Sequence, residues 1–251
     1  MQTTYATSMT AGLPGMKADM GDDRTLTYYA EEAIYFGRGV TQGAEGNAAR
    51  LPNRNVGYID FSADLVTSNT INLKVNGVAI SQVTFASNHA TTMAAIATAI
   101  EAIANTNYVA TVSAARQLKI VNPDGDVAIT NIVVAAGASQ ATGTDTYTSN
   151  EPFLGIARLD ATKEQNASGV ANYAANDAVA VASKGAFYVY TEETVVPGDP
   201  VYMRTYAGSA TELVGQFRKS VDSGDAVLIS NARWLVGAAA DGTAVLEINV
   251  P

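Results

Sequence analysis

Ile71-Asn72-Leu73-Lys74-Val75-Asn76-Gly77-Val78-Ala79-Ile80 alternates apolar and polar side chains up to an Asn-Gly pair. The period of two is that of a half-buried strand. Asn-Gly is the strongest short hairpin signal, because both positions take positive φ readily. Val83-Thr84-Phe85 continues the second strand. The period then changes over residues 90–104, where Met93, Ile96, Ala97, Ile100 and Ile103 fall on one helical stripe. Ser87 or Asn88 can cap that helix. Residues 108–112 and 117–121 return to strand, Asn122-Pro123-Asp124-Gly125 turns, and residues 128–134 add a last strand. The stretch predicts a β-β-α-β-β module over residues 69–137, with one helix covering one face of an antiparallel sheet.

On either side the pattern is nearly all strand and turn. Upstream, Thr25-Leu26-Thr27-Tyr28-Tyr29, Ile34-Tyr35-Phe36 and residues 57–61 read as short strands, with a polar, Gly/Asn-rich loop over residues 42–55. Downstream, strands are expected at 154–160, 178–182, 187–190, 200–204, 213–218, 226–229, 234–238 and 244–250. Residues 138–150 are rich in Thr, Ser, Gly and Ala and read as a linker. The expected architecture is mainly β: a split β-barrel or sandwich body (β-tulip or jelly-roll-like) formed by residues 24–68 and 138–251, with the small α+β domain inserted. Residues 1–23 read as an N-terminal arm, broken at Ala11-Gly12-Leu13-Pro14-Gly15, with apolar handles at Met9, Leu13, Met16 and Met20. Such an arm can pack on its own domain or lie across a neighbour, and the second is favoured.

Composition limits the chemistry. The 251 residues are 47% hydrophobic but only 16% charged. A surface of Thr, Ser, Asn, Gln, Gly and Ala suits protein–protein contact, since little charge must be desolvated. It is equally the surface of an ordinary Ala/Thr-rich soluble domain. The net charge of −9 argues against binding a phosphate backbone. There is no cysteine, which excludes disulfides, thiolate catalysis and Cys-based metal sites. No apolar run is long enough for a membrane helix, and Met1-Gln2-Thr3-Thr4-Tyr5 lacks the features of a secretion signal.

Each candidate reactive group has a plainer reading. His89 is the only histidine and falls in a first helical turn, so a His-based dyad or zinc cluster cannot form. Asp22-Asp23, Glu31-Glu32 and Glu192-Glu193 are adjacent pairs, and neighbours in extended chain point to opposite faces. A glycosidase needs carboxylates facing across a cleft. Gly37-Arg38-Gly39-Val40-Thr41-Gln42-Gly43 misses the dinucleotide fingerprint by one position and has no helix after it. Asp124-Gly125-Asp126 lacks the remaining ligands of a calcium loop. Asp177, Asp199 and Asp225 each precede a strand after a small turn residue, where a carboxylate accepts backbone N–H bonds. Asn166-Ala167-Ser168 is a sequon without consequence where no secretion signal is read. The expected sets of catalytic, cofactor-binding and metal-binding residues are therefore all empty, and no cofactor is expected.

Two resemblances add to this. The middle unit, from Ile71-Asn72-Leu73-Lys74-Val75-Asn76-Gly77-Val78 through the helix to Leu118-Lys119-Ile120-Val121-Asn122-Pro123-Asp124-Gly125-Asp126, resembles the β-β-α-β-β insert of flagellin-type proteins. The flanking parts resemble phage head proteins of the decoration or cement type. They do so on Gly15-Met16-Lys17-Ala18-Asp19-Met20, Glu151-Pro152-Phe153-Leu154-Gly155-Ile156-Ala157, Asp177-Ala178-Val179-Ala180-Val181-Ala182-Ser183-Lys184-Gly185, Val195-Val196-Pro197-Gly198-Asp199-Pro200-Val201-Tyr202 and residues 237–250. That family implies a structural virion protein on the outer capsid surface. Its partners would be the major capsid protein and further copies of itself in a homotrimer, with no nucleic acid, membrane or enzymatic activity. The alternatives are a tail, head-fibre or adhesin subunit with a host-binding insert, and, behind it, a polysaccharide-degrading enzyme.

Overall fold

The computed structural model describes residues 12–136, 141–163, 171–209 and 212–251. In chain order its strands are β1 (Arg24–Ala30), β2 (Ile34–Tyr35), β3 (Gly39–Gln42), β4 (Ala48–Arg50), β5 (Val56–Phe61), β6 (Thr70–Val75), β7 (Val78–Ala79) and β8 (Val83–Thr84). Helix α1 (His89–Glu101) follows. Then come β9 (Val109–Ala114), β10 (Gln117–Val121), β11 (Ile129–Ala135), β12 (Gly143–Thr148), β13 (Phe153–Ala157) and β14 (Asn172–Tyr173). The chain ends with β15 (Ala178–Tyr190), β16 (Tyr202–Arg204), β17 (Phe217–Arg218), β18 (Ala226–Leu228), β19 (Ala232–Val236) and β20 (Thr243–Asn249). The molecule is mainly β, and the chain divides into two units.

The first unit comprises residues 1–52, 152–221 and 228–251. Its body is a closed barrel in the order β1-β4-β3-β13-β15, with β1 returning to pair with β15. Closure is antiparallel at every seam except β1–β4, where Tyr29 and Ala30 run parallel to Ala48 and Ala49. Ala30, Ile34, Val40, Ala49, Val179 and Val181 fill the interior and are fully buried. Each large aliphatic among them contributes roughly 1.5–3 kcal/mol. Phe36 meets Tyr173 edge to face at 5.2 Å between ring centroids.

β15 merges two strands expected separately into one of 13 residues. Its first half closes the barrel, and residues 184–190 pair with β20, which carries β19. Gly185, at φ +123°, sits where β15 changes partners. The other edge of this second half is taken by the N-terminal segment: Gly15 N–H donates to Tyr188 O at 2.8 Å, Tyr188 N–H to Met16 O at 2.9 Å and Ala18 N–H to Ala186 O at 2.8 Å. The described part of the expected arm thus lies along its own chain. Residues 1–11 lie outside the described residues.

The second unit comprises residues 53–151 and 222–227. The expected 69–137 module is only part of it. β5 pairs with β10 and, over six residues, with β12, so the expected linker at 138–150 holds a strand and residues 56–61 belong to this sheet. In place of one sheet there are two, β12-β5-β10-β9 and β11-β6-β7 with β8 also on β6. Met93, Ile96 and Ile100 of α1 pack into a single core with Ile59, Leu73, Leu118 and Ile120 from both sheets. Asn88 caps α1 by accepting Thr91 N–H at 2.8 Å. Asn76 (φ +48°) and Gly77 (φ +79°) form the hairpin turn the sequence predicts.

Candidate functional site

In the first unit a groove of about 350 Å³ is lined by Leu13, Pro14, Tyr35, Phe36, Leu159 and Tyr190, together with Arg38 and Ala171. The tight turn at Gly15 (φ +79°) builds one wall. There Met16 N–H bonds back to Leu13 O at 3.0 Å, and Leu159 N–H to Gly15 O at 2.9 Å. Gly37 allows Pro14 to approach its backbone, since a Cβ there would stand 2.6 Å from the Pro14 Cβ. Leu13 is 62% exposed and Tyr190 43%, so the rim is apolar, aromatic and open to solvent.

Arg38 is only 8% exposed. Its Nη1 donates to Leu213 O at 2.9 Å and Val214 O at 3.3 Å, and its guanidinium lies 6.0 Å from the Tyr35 ring centroid. No carboxylate pairs with it among the described residues, and its Nε and Nη2 reach no described acceptor. Burial pushes the guanidinium down to about 10.

Past Lys17, the N-terminal segment that lies along β15 ends in a turn around Asp19, Met20 and Gly21. Lys17 Nζ donates to Gly21 O, and Gly21 N–H to Asp19 Oδ1 at 3.2 Å. Met20 is fully exposed. A polar groove of about 640 Å³ runs beside it, lined by Asp22, Lys184, Asn231, Arg233, Glu247 and neighbours.

The adjacent acids behave in two ways. Asp22 pairs with Lys184 at 2.9 Å, whereas Asp23 pairs with Lys17 at 2.6 Å and Arg158 at 3.2 Å. Glu31 accepts Ala44 N–H and Glu32 accepts Leu51 N–H. These two pairs diverge. Glu192 and Glu193 converge instead: Arg218 holds Glu192 Oε2 at 2.9 Å and Glu193 Oε1 at 3.1 Å. They lie in a bend past the end of β15, and Arg218 draws the two side chains together. Arg204 binds Glu192 Oε1 at 2.6 Å, and Ser220 and Lys219 N–H complete the shell of Glu193. Carboxylates saturated by guanidinium groups make a lock between β15, β16 and β17, not an acid–base pair.

The turn aspartates follow suit. Asp177 accepts Ala174 N–H at 2.8 Å and Asp199 accepts Val196 N–H at 3.0 Å. Asp225 pairs with Arg54 at 2.6 Å. Asp126 accepts Arg54 N–H at 2.7 Å, and burial raises its carboxyl above the usual range. His89 accepts Leu65 N–H on Nδ1 at 2.9 Å, and its Nε2, 2.7 Å from Ala115 O, must then carry the proton. Among the described residues no group of three His, Asp or Glu side chains could hold a metal ion, and no helix is long and apolar enough to cross a membrane. The sequon at Asn166 lies outside the described residues. Neither the lone Arg38 between two glycines nor the Glu192–Arg218 convergence is signalled by residue spacing.

The family of structural cement proteins (E217 gp24/Pam3 gp6) matches residues 101–249, more than half of the chain, from the end of α1 to the end of β20. A solved chain from the capsid of Myoviridae Phage XM1 aligns over 99% of this chain and 97% of its own, with a TM-score of 0.50 at 10% identity, and so shares the fold. A chain from Mycobacterium phage Patience aligns over 73% of this one and 89% of its own at 15% identity, with a TM-score of 0.25. No curated protein sequence matches. The match covers residues in both units and more than half of the chain, and the chain belongs to the phage structural cement protein family.

Proposed function

We propose that the protein binds the major capsid protein on the outer surface of the phage head, as a homotrimer, and stabilises the shell without catalysis or cofactor. The family match over residues 101–249 carries this reading. The net charge of −9 supports it, because an acidic protein gains nothing from packaged DNA. The apolar, aromatic rim around Tyr35 and Tyr190 supports it further, since tyrosine and arginine are enriched where protein partners dock. The trimer follows from the resemblance of the flanking segments to decoration proteins, which cluster at lattice symmetry points.

The test is reconstitution on capsids stripped of the protein. Saturable binding to their outer surface and a raised disruption temperature are expected. Failure to bind, or binding with no change in heat resistance, would overturn the reading.

A further inference from the structure

We propose that the groove containing Arg38 receives the Asp19–Met20 turn of a second copy of this chain. The proposal gives residues to the self-association put forward above, and the two can fail separately.

Both halves of the contact lie in the first unit. The groove holds a guanidinium that is nine-tenths buried, has no acid partner among the described residues and leaves two nitrogens without a described acceptor. The charge of Glu192 reaches this guanidinium without a contact ion pair, so a carboxylate brought directly to it in an apolar setting is favoured. The turn offers what is missing. Asp19 pairs with no cation among the described residues, and its one hydrogen bond there is from Gly21 N–H. Met20 beside it is fully exposed, and a flexible thioether suits an irregular groove rimmed by Tyr35 and Tyr190. The bonds from Lys17 to Gly21 O and from Gly21 N–H to Asp19 hold the turn in shape before binding, which lowers the entropy lost on docking.

The Asp19–Met20 turn of one copy cannot reach its own groove. Residues 15–18 are hydrogen-bonded along β15 at 186–188, which keeps the groove at the Tyr190 end and the turn at the Lys184 end. Six strand residues separate the two by about 20 Å. Knob and hole are therefore different patches, and their contact is heterologous: it closes into a ring when the rotation permits and otherwise runs on as a chain. A contact this small is weak alone and gains strength when copies are held side by side on a lattice.

Sedimentation velocity on the full chain over micromolar concentrations tests this. Concentration-dependent association is expected, weakened at least about tenfold by Asp19→Lys or Met20→Lys, the loss of one hot-spot contact. Both are exposed and remove no buried bond, so loss of folding does not confuse the result. Arg38→Gln should weaken association comparably. Tyr190→Lys should block the groove, and mixing it with Met20→Lys rebuilds one intact contact and should give a 1:1 heterodimer that neither forms alone.

A wild-type chain that stays monomeric, or turn variants that associate as wild type does, would overturn the proposal. Association lost on deleting residues 1–11 but kept in the turn variants would give the groove to that segment instead. A monomer whose binding to stripped capsids depends on Arg38 would give it to the capsid subunit. Self-association with these mutational effects but no capsid binding would sink the cement reading and leave this one standing.

Discussion

Arg54 and Asp225 stand 171 positions apart in the chain and meet at 2.6 Å. The Arg54 guanidinium also lies 3.8 Å over the Tyr147 ring centroid, and burial pushes the Tyr147 hydroxyl up to about 12. A short return of the chain, residues 222–227, is thereby fixed to the second unit through a buried cation. Removing Asp225 takes a direct ion pair from a buried guanidinium. Asp225→Ala should cost about 3 kcal/mol in urea unfolding, and Asp225→Asn, which can still accept a hydrogen bond, clearly less. Equal and small effects of both would show that solvent already serves Arg54.

Glu193 makes acid stability measurable. Burial pushes its carboxyl up, but bonds from Ser220 and Lys219 N–H, with the Arg218 guanidinium, outweigh burial and hold it below its ordinary 4.5. The folded value is the lower one, so this stabilisation is present above about pH 4.5 and is lost as pH falls through the folded value. The melting temperature of the wild type should fall over that window. Glu193→Gln should melt lower at neutral pH and show a flatter decline. A parallel decline in both proteins would remove Glu193 from the effect.

What the sequence made legible follows from chemistry that is local. Asn76-Gly77 demands its turn, Asn88 its cap, and Asp177 and Asp199 their backbone bonds, whatever surrounds them. What it hid depends on partners far along the chain. β4 is built around Ala48 and Ala49, poor strand formers that are fully buried because the barrel seam at Tyr29 and Ala30 needs small side chains. β12 reads as linker because its outward positions are Thr and Asp, and only its pairing with β5 makes it a strand. Arg38 looks like one more scattered basic residue until Leu13, Tyr35 and Tyr190 gather around it.

Gly155 and Gly77 separate two costs of a missing side chain. Both have positive φ, at +146° and +79°. A Cβ on Gly77 meets nothing within 4 Å, whereas one on Gly155 would stand 1.9 Å from the Ala182 carbonyl oxygen across the β13–β15 seam. Gly77→Ala should cost only the backbone term, about 1 kcal/mol. Gly155→Ala must also push β13 off β15, adding about 1–3 kcal/mol. Urea midpoints of the two variants check the order, and a reversed order would mean that the barrel seam yields more easily than the hairpin.

His89 ties the start of α1 to two loops at once, through Leu65 N–H and Ala115 O. Leu65 is buried, so its N–H has little access to water if the imidazole is lost. His89→Ala should therefore cost about 1–2 kcal/mol, more than an exposed first-turn residue would. The loss should be local before it is global. Amide exchange at Leu65 should accelerate strongly, while that at Leu118, in the core of the neighbouring sheet, should change only by the fall in overall stability. His89→Gln, whose amide can both accept and donate, should recover part of the protection. Uniform acceleration across the unit would mean that His89 supports the whole core and not the two loops it touches.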